Sequence, residues 1–493
     1  MKKFLAAALS AVMVFAVLIA SSSCSSGGET VSQSEASDTA ESADTAPAVT
    51  EDARYMSDLP ESYDLGGFEL SVLNRKPIST TLNTFYVAEQ NGEPINDAIY
   101  VRNSSVCEKY NFSIKETAAD DNAVSAGISK MVLAGDTSYY LAIDTQPALV
   151  PIVFSGVLYN IFDLPHIDTE KLYWNQDTAD MLSLKGKLYY LFGDIMLSDE
   201  DVTMVTMYNT SLAGDLGIDE NMYELTRSGG WTFAKMLSLI KLAGADLDGD
   251  SAFTVNDRWG LFYADNSAAA PYFGAAEIAF VRNNKAGIPE FSFDRERAET
   301  VFSTFREIFN TDGYGYNWGL IKENTANVIS SMISNKQILL QNVILSYARR
   351  NLRDVTCAFG FLPMPKFDEK QKNYSSIMNY VAGVTMFVPA SNPETEKTGF
   401  ALEALCAGSS DITDAYINTC LASKYTRDTE SFEMIKLTME NICIDLAYVY
   451  NWGGFSNQLT KSIMDPSAEF TSLVASYETK VAEEIAKSMD KLA

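Results

Sequence analysis

The chain has 493 residues, too many for one compact domain of ordinary size, so two lobes with appendages are expected. Its formal charge of −28 repels phosphate backbones and anionic surfaces, which argues against nucleic-acid binding and suits a neutral or cationic ligand. Six cysteines, none with the close spacing of a zinc or redox motif, exclude the dense disulfide framework of a small secreted domain, although Cys406 and Cys420 are a candidate pair.

Lys2 and Lys3 precede an apolar run over residues 4–20, the charged and hydrophobic regions of a signal peptide spanning 1–23. Ser21-Ser22-Ser23-Cys24 follows and resembles a bacterial lipobox, which implies a diacylated Cys24 as the new N-terminus; the alternative is ordinary secretory cleavage near residues 20–22. Two acyl chains anchor stably where one is marginal. Residues 25–54 contain no aromatic residue and seven acidic ones, so residues 24–60 read as a disordered tether.

Gly66-Gly67 introduces an alternating strand at residues 68–73. Pro94, Ile95, Ile99, Val106 and Tyr110 mark a helix, and residues 112–115 a second strand. Val124, Ile128, Met131 and Val132 keep helical spacing up to Gly135, and residues 139–143 form a third strand. Strand-helix-strand-helix-strand implies a parallel α/β lobe over 61–180, with ligand beyond the strand ends. A second lobe is expected over 181–325, with strands at 188–192, 204–208 and 260–263 and helices at 231–243 and 298–309. Residues 326–493 return to complete both lobes, with strands at 338–343 and 384–388 and a helix-rich C-terminal region.

Several segments, in order, resemble the sugar-binding lipoproteins of bacterial ABC importers, the broad class that includes maltose-binding protein. They are residues 92–103, Trp174-Asn175-Gln176, 186–190 with Gly193-Asp194, 246–250 with Asp257 and Trp259-Gly260-Leu261, 362–368 with Tyr374, Val388-Pro389-Ala390, 424–428 and 450–453. The resemblance implies an α/β, two-lobe, periplasmic-binding-protein-like fold with a ligand cleft between the lobes. It also implies a monomer that captures a small carbohydrate and delivers it to an ABC permease through hinge closure.

Sugars present apolar faces ringed by hydroxyls, so their sites combine aromatic platforms with polar side chains. Trp174 and Asn175 lie in an aperiodic stretch, and Asp194 follows a strand end. Arg75, Thr145 and Gln146 stand at the ends of the first-lobe strands, while Trp318 and Trp452 are loop aromatics. Together these eight form the expected ligand-binding set.

Asp246, Asp248, Asp250 and Asp257 occupy positions 1, 3, 5 and 12 of a calcium-loop spacing, with the Ala252 carbonyl at position 7. Ser251 replaces the usual glycine and Asp257 the usual glutamate, which weakens affinity toward millimolar calcium. No other cofactor is required. His166 is the only histidine and no Gly-x-Ser-x-Gly elbow occurs, so no catalytic triad is expected. The alternatives are a surface-anchored glycoside hydrolase, which needs only two carboxylates, or a non-catalytic surface-interaction protein.

Overall fold

The structure is a computed structural model that describes residues 56–77, 81–120, 123–264 and 269–492, with the side chains of 423–425 left aside. Cys24, the signal peptide and nearly all of the expected tether lie outside the described residues. Gly66 and Gly67 (φ 68° and 74°) occupy the left-handed region that favours glycine and turn the chain into β1 (Phe68–Arg75). The inward residues Leu70 and Val72 of β1 are fully buried. Pro94 sits in the first turn of the helix Pro94–Tyr110, and Asn111 ends it with φ 52°. β2 (Phe112–Ala119) then pairs with β1 in parallel, from Phe68 with Phe112 to Arg75 with Ala119. The helix Ala123–Leu133 buries Val124, Ile128 and Met131 and leads to β3 (Leu141–Thr145), parallel to β1 on its other side. The parallel α/β unit is as expected, and its strands run two to four residues further than the sequence suggests.

Residues 188–192 form an extended segment with an isolated bridge between Leu191 and Met386, not the expected strand. The second sheet begins with β4 (Met204–Tyr208) and β5 (Trp259–Tyr263). Gly260 lets β5 lie against the helix Phe233–Ala243, because a Cβ there would sit 2.6 Å from the Ile240 Cα. A hairpin of β6 (Val281–Asn283) and β7 (Pro289–Phe291) and the amphipathic helix Arg295–Phe309 precede β8 (Gly315–Asn317), β9 (Ile338–Ile344) and β10 (Gly360–Leu362). The order is β10-β4-β9-β5-β8, with β5 parallel to β8 and β9 and with β4 antiparallel to β9 and β10. The strands of this sheet thus run from Met204 to Leu362, later at both ends than the 181–325 expected.

β11 (Ser376–Ile377) leads back to the first lobe, where β12 (Val384–Phe387) adds antiparallel to β3 and completes the order β12-β3-β1-β2. β13 (Ile442–Cys443) pairs in parallel with β11, and Met378 bridges Thr203 ahead of β4. Three crossing segments therefore lie side by side where the two sheets meet. The C-terminal region is helical as expected. Its long helix Phe470–Lys491 packs by Phe470 on Phe302 (ring centroids 5.4 Å apart). At its far end the Met489 and Leu492 carbonyls accept from Lys185 and Lys187.

Candidate ligand-binding cleft

In a sheet with parallel strands, ligands sit beyond the carboxyl ends. In the second lobe those ends are Tyr263 of β5, Asn317 of β8 and Ile344 of β9. Directly after them come Ala264, Trp318 and the helix Leu345–Asn351, and these line a cavity of about 400 Å³. Met204 at the start of β4 and Asn379, Val381 and Ala382 of the crossing segment that follows β11 supply its floor. First-lobe residues rest against that floor: Thr81 Oγ1 donates to the Ala382 carbonyl at 2.7 Å and the Gln146 N–H to the Gly383 carbonyl at 3.0 Å.

The cavity wall is aromatic and polar. The half-buried Trp318 is placed by Asn317, whose side chain accepts the Gly319 N–H at 2.9 Å. On β9, Gln341 is 1% exposed; its carboxamide faces the Tyr347 hydroxyl and makes no well-formed hydrogen bond beyond that contact. The Tyr347 hydroxyl, which faces Gln341, and the Asn351 side-chain oxygen lie buried on the adjoining helix, the latter without a hydrogen-bond partner. Burial pushes the Tyr347 phenol up to about 12, which keeps it a neutral donor. Buried polar groups are normally paired, and an unmade bond costs on the order of 1–3 kcal/mol. Several on one cavity wall mark a surface built for a polar ligand.

Arg349 and Arg350 leave this helix side by side. Arg349 Nη2 meets the fully buried Asp201 carboxylate at 3.0 Å, while Arg350 Nε donates to the Ser346 carbonyl at 3.3 Å within its own helix. Burial, and next the charge of Arg349, lower the Arg350 pKa.

Of the residues expected from the sequence, Trp318 lines this cavity. Arg75, Thr145 and Gln146 cluster at the first-lobe strand ends. Arg75 pairs with Asp144 at 3.6 Å, and Asp144 also accepts the Thr145 N–H at 2.8 Å. The Gln146 carboxamide, without a hydrogen-bond partner and 1% exposed, faces a void of about 20 Å³ shared with Tyr380, Asp445 and Tyr448.

The remaining expected residues lie away from this cavity. Trp174 is 1% exposed and donates from Nε1 to Glu403 at 2.8 Å, so it packs inside the first lobe and presents no face to a sugar. Asn175 caps the helix Gln176–Leu182 and donates to Asp199 at 2.6 Å, and Asp194 is buried with its N–H on the Tyr173 carbonyl. Trp452 stacks on Tyr450 (4.6 Å) and donates to Ser488 at 2.9 Å beneath the C-terminal helix. An aromatic in an aperiodic segment is as readily a core residue as a platform, and sequence alone does not divide the two for Trp174 and Trp452.

In the acidic loop, carboxylate oxygens of Asp246, Asp248 and Asp250 lie within 4.8 Å of one another, three of the six to eight oxygens that calcium takes. Asp257 does not join them. It is fully buried and accepts the Leu247 and Thr254 N–H groups at 2.9 and 2.7 Å. Burial raises its pKa, but these backbone bonds outweigh it and leave the pKa lowered. Asp257 therefore pins the loop base. Ala252 gives its N–H to Asp250 at 2.7 Å, and nothing places its carbonyl toward the cluster. His166 meets Glu396 at 2.6 Å on the first lobe, and it is not among the residues of the cavity. Cys406 and Cys420, the candidate pair, are both buried and are not joined in a disulfide.

Gln341, Tyr347, Arg350, Asn351 and Asn379 escaped the sequence reading. The signal was present: the strand-end argument that selected Arg75 and Thr145 applies equally to the end of β9, and it points at Tyr347 and Arg350.

No protein-family model and no curated protein sequence matches the chain. Solved structures do. The galacto-N-biose/lacto-N-biose I-binding protein of an ABC transporter from Bifidobacterium longum, in complex with lacto-N-biose, superposes with a TM-score of 0.56 at 12% identity. That match covers 86% of this chain and 98% of the other. A cyclo/maltodextrin-binding protein complexed with maltotetraose gives 0.52 at 12% identity over 87% and 98% of the two chains. An ABC substrate-binding protein from Listeria monocytogenes in complex with cycloalternan gives 0.50 at 11%, over 86% and 99%. With its two α/β sheets joined by adjacent crossing segments, the chain has the two-lobe fold of the solute-binding proteins.

Proposed function

We propose that the protein is the substrate-binding subunit of an ABC importer, which captures a sugar or oligosaccharide between its lobes and hands it to a membrane permease. The observation that carries this reading is the cavity beyond β5, β8 and β9, where Trp318 offers a flat apolar face beside the buried polar groups of Gln341, Tyr347 and Asn351. That combination matches a ring with apolar faces and hydroxyl edges. Closure about the three crossing segments supplies the signal a permease reads. A glycoside hydrolase is disfavoured because none of the cavity's described lining residues is a carboxylate, and that chemistry takes two. A monomer at the outer face of the membrane, anchored through Cys24, completes the reading; Cys24→Ala should abolish fatty-acid labelling, and equal labelling of both forms contradicts the anchor.

A thermal-shift screen over mono- and oligosaccharides tests the function. A sugar at a hundred times its Kd stabilises by about 2.7 kcal/mol, or about 3 °C for a chain of this size. No shift across a broad panel, or steady conversion of the sugar, contradicts it.

A further inference from the structure

We infer that the saccharide taken by this cleft is anionic, bearing a carboxylate or sulfate group that the Arg350 guanidinium receives. The inference rests on the reading of the cleft as a sugar site and narrows it to a ligand class. The chain as a whole carries 65 acidic residues against 37 basic ones. Yet the described lining of the 400 Å³ cavity contains no carboxylate, and Arg350 is its one residue that is charged at neutral pH. Among its described residues this wall of a strongly acidic protein thus carries no acid, opposite to the neutral or cationic ligand that the net charge suggests.

The local charge balance points the same way. Arg349 and Arg350 are adjacent, and Asp201 forms its ion pair with the first, at 3.0 Å from Arg349 Nη2, while its charge reaches Arg350 only from a longer distance. Among the described residues no carboxylate lies within ion-pair distance of Arg350, whose guanidinium is held by its own helix through the Ser346 carbonyl. A half-buried cation beside a second cation is unfavourable unless an anion joins them. A guanidinium fork matches the two oxygens of a carboxylate or sulfate. On the same wall Gln341, nine-tenths buried beside the Tyr347 hydroxyl, offers its carboxamide to ring hydroxyls.

The test is calorimetry on the secreted form of the chain with digalacturonate, a monosulfated disaccharide and the neutral disaccharides maltose and lacto-N-biose. One acidic probe should bind at least about tenfold tighter than either neutral one, and which of the two does so identifies the anion. Arg350→Gln should weaken that probe on the order of ten- to a hundredfold, the size of a charged hydrogen bond. Arg350→Lys should retain part of the preference, and neither change should lower the melting temperature of the unliganded protein. Equal binding of neutral and acidic sugars overturns the inference while leaving the sugar reading intact. So does an Arg350→Gln protein that melts lower but keeps its preference. Failure of every saccharide to bind overturns both.

Discussion

Arg349 reaches across to Asp201 at 3.0 Å, and Asp201 in turn accepts the Leu82 N–H at 2.9 Å and the Tyr416 hydroxyl at 3.2 Å. One fully buried carboxylate thereby ties a second-lobe helix to the first crossing segment and to the chain that leaves β1. Arg349→Met leaves that carboxylate buried without its cation, and should destabilise by about 3 kcal/mol. Asp201→Asn combined with Arg349→Met should recover most of this loss. Denaturant unfolding of both single mutants and the double mutant measures the coupling.

The two tryptophans Trp318 and Trp174 should separate binding from stability. Trp318 is half-buried at the cavity, so Trp318→Ala should weaken sugar binding about fivefold, the worth of a stacked aromatic contact, with little change in melting. Trp174→Ala opens a hole in the first-lobe core and should cost about 3–5 kcal/mol of stability. Thermal melts and calorimetry on both variants check the contrast.

Much of the fold was legible because periodicity reports burial. β1, the helix at Pro94 with its proline start, and the helix Arg295–Phe309 all follow from which faces the chain must hide. The site was legible only in part. Trp318, Trp174 and Trp452 look alike in sequence, and what divides them is the tertiary pairing of their ring nitrogens with Glu403 and Ser488. Arg349 and Arg350 are neighbours of the same type. Only the placement of Asp201, 148 residues away, neutralises one and leaves the other to the cavity.

Asp445 should give the fold a pH signature. Burial pushes its carboxyl up to about 6 despite the N–H groups of Phe280, Val281 and Ala447. A folded pKa above the unfolded one means that its contribution is fully present below about pH 4 and is lost as pH rises through about 6. Two units correspond to about 3 kcal/mol. Asp445→Asn should flatten this slope between pH 4 and 6, which melting curves across that range will show.

Calcium should act at the Asp246 loop. At ten times its Kd the ion stabilises by about 1.4 kcal/mol, a rise of about 1.5 °C. Asp246→Ala with Asp250→Ala should abolish the rise, while Asp257→Ala should lower the melt with or without calcium, because it removes the bonds to Leu247 and Thr254. An unchanged melt in several millimolar calcium contradicts the metal site.

Titration calorimetry of the best saccharide into the wild type, Trp318→Ala and Gln341→Ala proteins tests the central claim most directly. The account predicts saturable binding with one site per chain, sugar recovered intact and weaker binding in both variants. Heat that continues as the sugar is consumed, or saturable binding that both substitutions leave untouched, would contradict a sugar-capturing cleft beyond β5, β8 and β9.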